Sequence, residues 1–162
     1  MSSWDSAPDV PTFAFADVPS LLGREFVSSW VSVDQEKMEL FDQSTYYDPD
    51  DYGWDVEHFP DNLVEGFHLL SLLAPIMNLA LKIDDPQAFV LNYGVDRLRF
   101  ITPVYAGDKI RLTGRVSEVT PKQEGYVVCK SCVVELEGAS RPAMVVEHRS
   151  LILPQIRDEF TA

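Results

Sequence analysis

Between Lys109 and Val119 the chain alternates strictly. Ile110, Leu112, Gly114 and Val116 are interleaved with Arg111, Thr113, Arg115 and Ser117, the period of a strand with one face in a core and the other in water. Further β segments are predicted over Ala88–Tyr93, Val95–Ile101, Tyr126–Glu137 and Pro142–Leu153. Breaks fall at Gly94, at Pro103 to Asp108, at Pro121 to Gly125 and at Gly138 to Arg141. Upstream the period changes to that of a helix. Over Leu63–Leu81, Phe67, Leu70, Ala74, Met77 and Leu81 recur at spacings of three and four, while Leu69, Leu72, Leu73 and Leu79 widen the apolar face almost all round. Such a helix is buried. Pro75 inside it bends it or joins two pieces. Earlier still, Arg24–Val33 reads as strand and Asp34–Asp42 as a short helix, with Ser32 and Gln35 in a capping-box pattern.

One buried helix followed by long antiparallel strands predicts an α+β domain, a curved sheet wrapped around a central helix. The body spans 24–154, between an N-terminal arm (1–23) and a tail (155–162). Trp4, Phe13 and Phe15 of the arm have the size to pack on the body. Residues 43–62 form an acidic, aromatic loop of a length more often found in lids and site walls than in plain connectors. Edge strands of such a sheet call for a second copy, so a homodimer is expected.

Charge removes several functions. The net charge is −13, which argues against nucleic acid and against anionic membrane surfaces, both of which need clustered Lys and Arg. Residues 1–95 hold 3 Lys/Arg against 17 Asp/Glu, and residues 96–162 hold 10 against 9. An anionic ligand arm would thus meet the second half, with Arg97, Arg99, Lys109 and Arg111 as candidates. No basic start with an apolar run opens the chain, and Gly66–Leu81 is shorter than a membrane span, so a cytoplasmic address is expected. Cys129 and Cys132 form a CxxC within a predicted strand, where residues three apart face opposite sides. Two such thiols cannot share a metal, and neither metal nor cofactor is expected.

Three stretches resemble the MaoC-like acyl dehydratases, especially their single-domain (R)-specific enoyl thioester hydratases. Leu63-Val64-Glu65-Gly66-Phe67-His68-Leu69-Leu70-Ser71-Leu72-Leu73 is similar to the opening of that family's central helix. Leu91-Asn92-Tyr93-Gly94-Val95-Asp96-Arg97-Leu98-Arg99-Phe100 is the second, and Pro103-Val104-Tyr105-Ala106-Gly107-Asp108 resembles the family's turn into a long strand. The resemblance covers about 24–154 and implies the hot-dog fold. It also implies an acyl-thioester substrate, on CoA or an acyl carrier protein. Of the family's Asp-x-Asn-x-x-His signature, Asp42 is kept, while Ser44 stands in place of Asn and Tyr47 in place of His. Glu65 stands where the family carries a His before the helix glycine, and His68 follows two residues after Gly66.

Hydration of an enoyl thioester needs a donor for the thioester oxygen, a base for water and an acid for the α-carbon. Asp42, His68 and Tyr47 are the candidate catalytic residues, and Gly66, Glu65, Ser44, Asn92 and His58 the candidate substrate-binding ones. Gly66 opens a buried helix, where free N–H groups and the missing Cβ allow close approach of a carbonyl, or it serves helix packing alone. Burial would keep His68 neutral and so a potential base, the alternative being a core histidine. Glu65 reaches His68 through i,i+3 spacing. Tyr47 suits hydrogen-bond donation better than base chemistry, His58 lies where it can close over a pocket, and His148 reads as a strand-surface residue. A dehydratase or hydratase with a reworked site and a specialised, polyketide-like substrate is expected. The alternatives are a hot-dog enzyme of isomerisation, cyclisation or thioester hydrolysis, and an inactive partner subunit.

Overall fold

The computed structural model describes Trp4, residues 9–46, Pro60 and residues 62–154. Tyr47, His58, most of the acidic loop and the tail 155–162 lie outside the described residues.

Four long strands make the sheet: β5 (Phe89–Phe100), β6 (Lys109–Lys122), β7 (Gly125–Leu136) and β8 (Met144–Leu153). With two short strands, β2 (Glu25–Val27) and β3 (Val31–Ser32), they form one antiparallel sheet in the order β2-β6-β7-β8-β5, β3 also pairing with β6. The alternation read in β6 holds: Ile110, Leu112 and Val116 are fully buried. Their neighbours on the same face are Val128, Cys132 and Val134 of β7 and Met144, Val146 and Ile152 of β8, all in one apolar core. Cys129 lies on the other face, where its Sγ accepts a hydrogen bond from Arg149 Nη1 at 3.1 Å.

The central helix is two pieces, α2 (Gly66–Ser71) and α3 (Leu73–Met77), joined at Leu72. Pro75 explains the join, because it has no N–H to return to the Ser71 carbonyl and its ring crowds that position. The apolar run past Met77 is turn, not helix. Leu69, Leu73, Ile76 and Met77 press into the core.

Three local expectations are corrected. Gly94 does not end a strand: β5 runs through it, with shifts in pairing to β8 between Asn92 and Gly94 and between Asp96 and Arg99, so the glycine sits at a bulge. Helix α1 (Gln35–Ser44) is capped by Asp34, whose Oδ1 accepts the Lys37 N–H at 3.0 Å, and not by Ser32. The Arg24–Val33 strand is the two pieces β2 and β3.

The described part of the N-terminal arm belongs to the body. It forms β1 (Thr12–Phe13), which pairs in parallel with β4 (Lys82–Ile83), and a 3-10 helix over Phe15–Leu21 that buries Val18 and Leu21. Trp4, Phe13 and Phe15 pack against the core, and the Trp4 indole N–H donates to Ser32 O at 2.9 Å. At the turn into β6, Gly107 takes φ +94°, and Asp108 Oδ2 accepts the Tyr105 N–H at 2.8 Å. That turn sets Val33 on Asp108, Asp108 O accepting the Val33 N–H at 2.9 Å. The strand β3 is thereby placed so that α1 starts beside the sheet.

Candidate active site

Helix α1 ends against α2, and that junction gathers titratable groups. The α1 terminus is tied down locally: the Thr45 N–H, Ser44 Oγ–H and Thr45 Oγ–H all donate to the Phe41 carbonyl, at 3.0, 2.9 and 2.7 Å. Phe41 itself stacks on His68 of α2, ring centroids 4.6 Å apart and 29° between planes. His68 is 3% exposed, and its Nδ1 is buried without a hydrogen-bond partner among the described residues. Burial holds its pKa below the usual imidazole value, so the ring is neutral near pH 7. Its backbone carbonyl accepts Ser71 Oγ–H at 2.7 Å.

Glu65 is the N-cap of α2, yet its side chain makes no capping bond. Its Oε2 is buried and without a hydrogen-bond partner among the described residues. Burial, and after it the negative charge of Asp42, raise its carboxyl from 4.5 to about 7. Asp42 is half-buried at the end of α1 with Oδ1 shielded from solvent. The two carboxyl groups and the neutral imidazole therefore share one corner, where α1 meets the start of α2. A proton is gained or lost near neutral pH at Glu65, which suits proton transfer to and from carbon or oxygen.

The predicted residues divide. Asp42, Glu65 and His68 come together, but the Glu65–His68 hydrogen bond suggested by their spacing is not made. Ser44 is exposed, its hydroxyl engaged with Phe41 O. Gly66 faces the Phe100 ring: a Cβ built there would stand 2.8 Å from Phe100 Cε2, so a larger residue would have to displace that ring. Tyr47 and His58 fall outside the described residues. Asn92 stands apart from the carboxyl corner, its Oδ1 3.2 Å from His148 Nε2. His148 is not on the strand surface; it is 6% exposed and faces the core from β8. Lys130 and Ser150 are also buried on the inner face, and the sequence does not mark them. Strand parity puts residues 128, 130, 132 and 134 on one face, but apolar residues at both parities of β7 hide it in the sequence.

Of the basic residues considered for an anionic arm, Arg97 pairs with Glu147 at 2.9 Å, Lys109 with Glu137 at 3.6 Å and Arg111 with Glu135 at 2.6 Å. These cations lie on both β5 and β6 and do not converge. Among the described residues no cluster of three or more His, Cys, Asp or Glu is arranged to hold a metal. Among the same residues no helix is long and apolar enough to cross a membrane.

No protein-family model matches the chain. Over 150 residues it is 31% identical to nodulation protein N of Rhizobium leguminosarum bv. viciae, covering 86% of this chain and 91% of that protein. Over 142 residues it is 30% identical to 3-hydroxyacyl-thioester dehydratase Z of Mycobacterium tuberculosis, covering 82% and 91%. Its fold matches the MaoC-like dehydratase from Rhodospirillum rubrum with a TM-score of 0.60 at 14% identity, over 84% of this chain and 94% of that one. With a helix laid on an antiparallel sheet and such relatives along most of its length, the chain belongs to the MaoC-like dehydratase family of hot-dog proteins.

Proposed function

We propose that the protein is a lyase that removes water from, or adds it to, an acyl thioester, with Glu65 as the acid, His68 as the base and Asp42 holding Glu65 in its working range. The observation that carries this reading is the convergence of two carboxyl groups beside a buried neutral imidazole at the α1–α2 junction. In dehydration of a 3-hydroxyacyl thioester, His68 Nδ1 takes the α-proton and the electron pair left behind forms the carbon–carbon double bond. The β-carbon–oxygen bond breaks, and the hydroxyl leaves as water with the proton of the Glu65 carboxyl. Hydration runs the same steps backwards. The dehydration direction needs neutral His68 and protonated Glu65, so its rate falls as pH rises through about 7.

The second copy enters through β5. This strand is an edge of the sheet, and Val90, Leu91, Tyr93 and Val95 are 41–50% exposed along it. An apolar strand with one unpaired edge is a template for pairing, and a homodimer built on β5 covers it. Light scattering is expected to give twice the chain mass, and Val95→Lys to shift it toward the monomer.

The direct test is turnover. Crotonyl thioester is expected to give the 3-hydroxyacyl product with the purified protein, and Glu65→Gln and His68→Gln each to slow it by at least about 10²-fold while circular dichroism stays unchanged. A protein inert toward both crotonyl and 3-hydroxybutyryl thioesters, on CoA and on acyl carrier protein alike, would overturn the lyase reading.

A further inference from the structure

Beneath α3, against the inner face of the sheet, lies a cavity of about 170 Å³ with a polar floor in an otherwise apolar core. Lys130 of β7 and His148 and Ser150 of β8 form that floor, and Asn92 of β5 its edge. Lys130 and His148 are paired in register across β7 and β8, and Asn92 and Ser150 across β5 and β8. The cavity shares Ala74, Asn92 and His148 with a groove of about 370 Å³ that opens to the surface along Phe67, Leu70 and Tyr93. The groove and the cavity thus share a wall, which stands between the α2 surface and the buried floor.

The floor is incomplete as it stands. Lys130 is 5% exposed, and its Nζ donates to Ser150 Oγ at 2.7 Å. It has no other hydrogen bond and no carboxylate partner among the described residues, although an ammonium carries three donors. Burial lowers it only to about 8, so it is a cation at neutral pH. The nearby Cys132 thiol is pushed up to about 12 and supplies no counter-charge. His148 Nδ1 is buried and also without a partner among the described residues. The Asn92 amide serves Nε2 as acceptor or, rotated, as donor, so the neutral ring presents either a lone pair or an N–H at Nδ1. A buried cation with unused donors costs several kcal/mol unless an anion meets it.

We propose that this cavity is a carboxylate-binding subsite, in which Lys130, Ser150 and His148 take the distal carboxylate of an acyl chain lying in the groove. The acyl part of the assignment rests on the lyase reading above; the carboxylate part rests on the floor itself. A cavity of about 150 Å³ holds a group the size of benzene, so this one takes a carboxylate and the methylenes next to it. Phe67 of the groove and His68 of the corner are neighbours on α2, which brings the reacting end of a medium-length chain within reach of the α1–α2 corner. The substrate class is thus a thioester of a dicarboxylic acid.

Calorimetry with adipate, and with hexanamide as an uncharged six-carbon control, reads binding without turnover. Adipate is expected to bind one per chain at pH 7, and hexanamide at least tenfold more weakly. Lys130→Met should weaken adipate at least tenfold, as loss of a charged hydrogen bond does, and His148→Gln about three- to tenfold, with melting curves confirming that each variant folds. Affinity should fall as pH rises from 7 to 9 and Lys130 loses its proton. Absence of adipate binding, equal binding by Lys130→Met, or equal binding of hexanamide overturns the subsite. The two readings fail separately. Adipate bound by a protein inert to crotonyl thioester leaves the subsite standing without the lyase. Turnover of crotonyl thioester without adipate binding, and without preference for a thioester bearing a distal carboxylate, leaves the lyase without the subsite.

Discussion

Two buried histidines sit in opposite electrostatic company. His68 lies at the α1–α2 corner near two carboxyl groups; His148 lies on the sheet beside an ammonium. Both are held neutral, and each has an Nδ1 without a partner among the described residues. The difference is in the neighbours. At the corner, burial and Asp42 hold Glu65 at about 7, ready to exchange a proton. At the floor, burial first and the Lys130 charge second push His148 down to about 4, out of the range of proton exchange near neutrality. Burying an imidazole fixes its charge state, but the charge beside it decides whether the site does acid–base work or holds a ligand.

The sharpest break in the comparison is Glu65→Gln. It keeps size and hydrogen bonding while removing the titrating proton, and turnover should fall about 10²- to 10⁴-fold, the usual worth of a general acid. The melting temperature at pH 7 should not fall, and adipate binding at the floor should be unchanged. A variant with wild-type kcat would place the chemistry elsewhere.

Next in size is Lys130→Met, read as stability. The ammonium falls from 10.5 to about 8 on folding, and at about 1.4 kcal/mol per unit its burial costs up to about 3 kcal/mol at pH 7. The Met variant should therefore be more stable at neutral pH, by about 1–3 kcal/mol in denaturant titration. Because the folded-state value is depressed, the native chain binds the proton less tightly than the unfolded one. Wild-type stability thus recovers as pH rises from about 8 to 10.5, and the gap between the proteins should close over that window. A destabilised Met variant would mean that Lys130 is held by a partner in the free protein.

How far these sites were legible in the sequence follows from what each depends on. The strict alternation of β6 exposed its inner face directly, and the apolar breadth of 63–81 announced the buried helix. The sequence marks Asp42, Glu65 and His68 as candidates, but their convergence depends on how α1 docks on α2, which no local pattern encodes. The i,i+3 spacing makes Glu65 an orienting partner for His68 and no more, because spacing states proximity and not electrostatics. Lys130 stayed hidden for a different reason. Val127, Val128, Cys129, Cys132, Val133 and Val134 are apolar on both faces of β7, so the alternation that would have shown a lysine turned inward is erased. Similarly, Val145 and Val146 blur the parity that sends His148 into the core. The join at Leu72 was foreshadowed by Pro75, whereas the continuity of β5 through Gly94 was not, since a bulge and a strand end carry the same glycine signal.

Asp42→Asn separates the two causes acting at the corner. It removes the charge next to Glu65 and leaves the burial. The Glu65 titration midpoint should fall from about 7 but stay above 4.5, because burial is the larger of the two causes. The same change is visible in stability. A carboxyl raised on folding makes the native chain hold its proton more tightly than the unfolded one, so stability is lost as pH rises from 4.5 to about 7. Asp42→Asn should make that loss smaller and end it at lower pH, with no effect on the Lys130 window above pH 8. A midpoint that does not move would place the Asp42 charge too far from Glu65 to act on it.

The smallest effect tests whether the corner depends on α1 as the floor depends on the sheet. Asp34 caps α1 through a single bond to the Lys37 N–H, 3.0 Å long and exposed. The helix is held in the core chiefly by Met38 and, at its far end, by Phe41 on His68. Asp34→Ala should cost about 1 kcal/mol of stability, the typical worth of an N-cap. The loss frays the first turn, while Asp42 lies at the opposite end, where Ser44 and Thr45 make three hydrogen bonds to the Phe41 carbonyl. Turnover should therefore fall by less than about threefold, and adipate affinity not at all, because the floor is built from β5, β7 and β8. A large loss of turnover from this remote, exposed change would show that the carboxyl corner is held by the position of α1 as a whole, whereas the lysine floor is held by strand pairing that α1 does not touch.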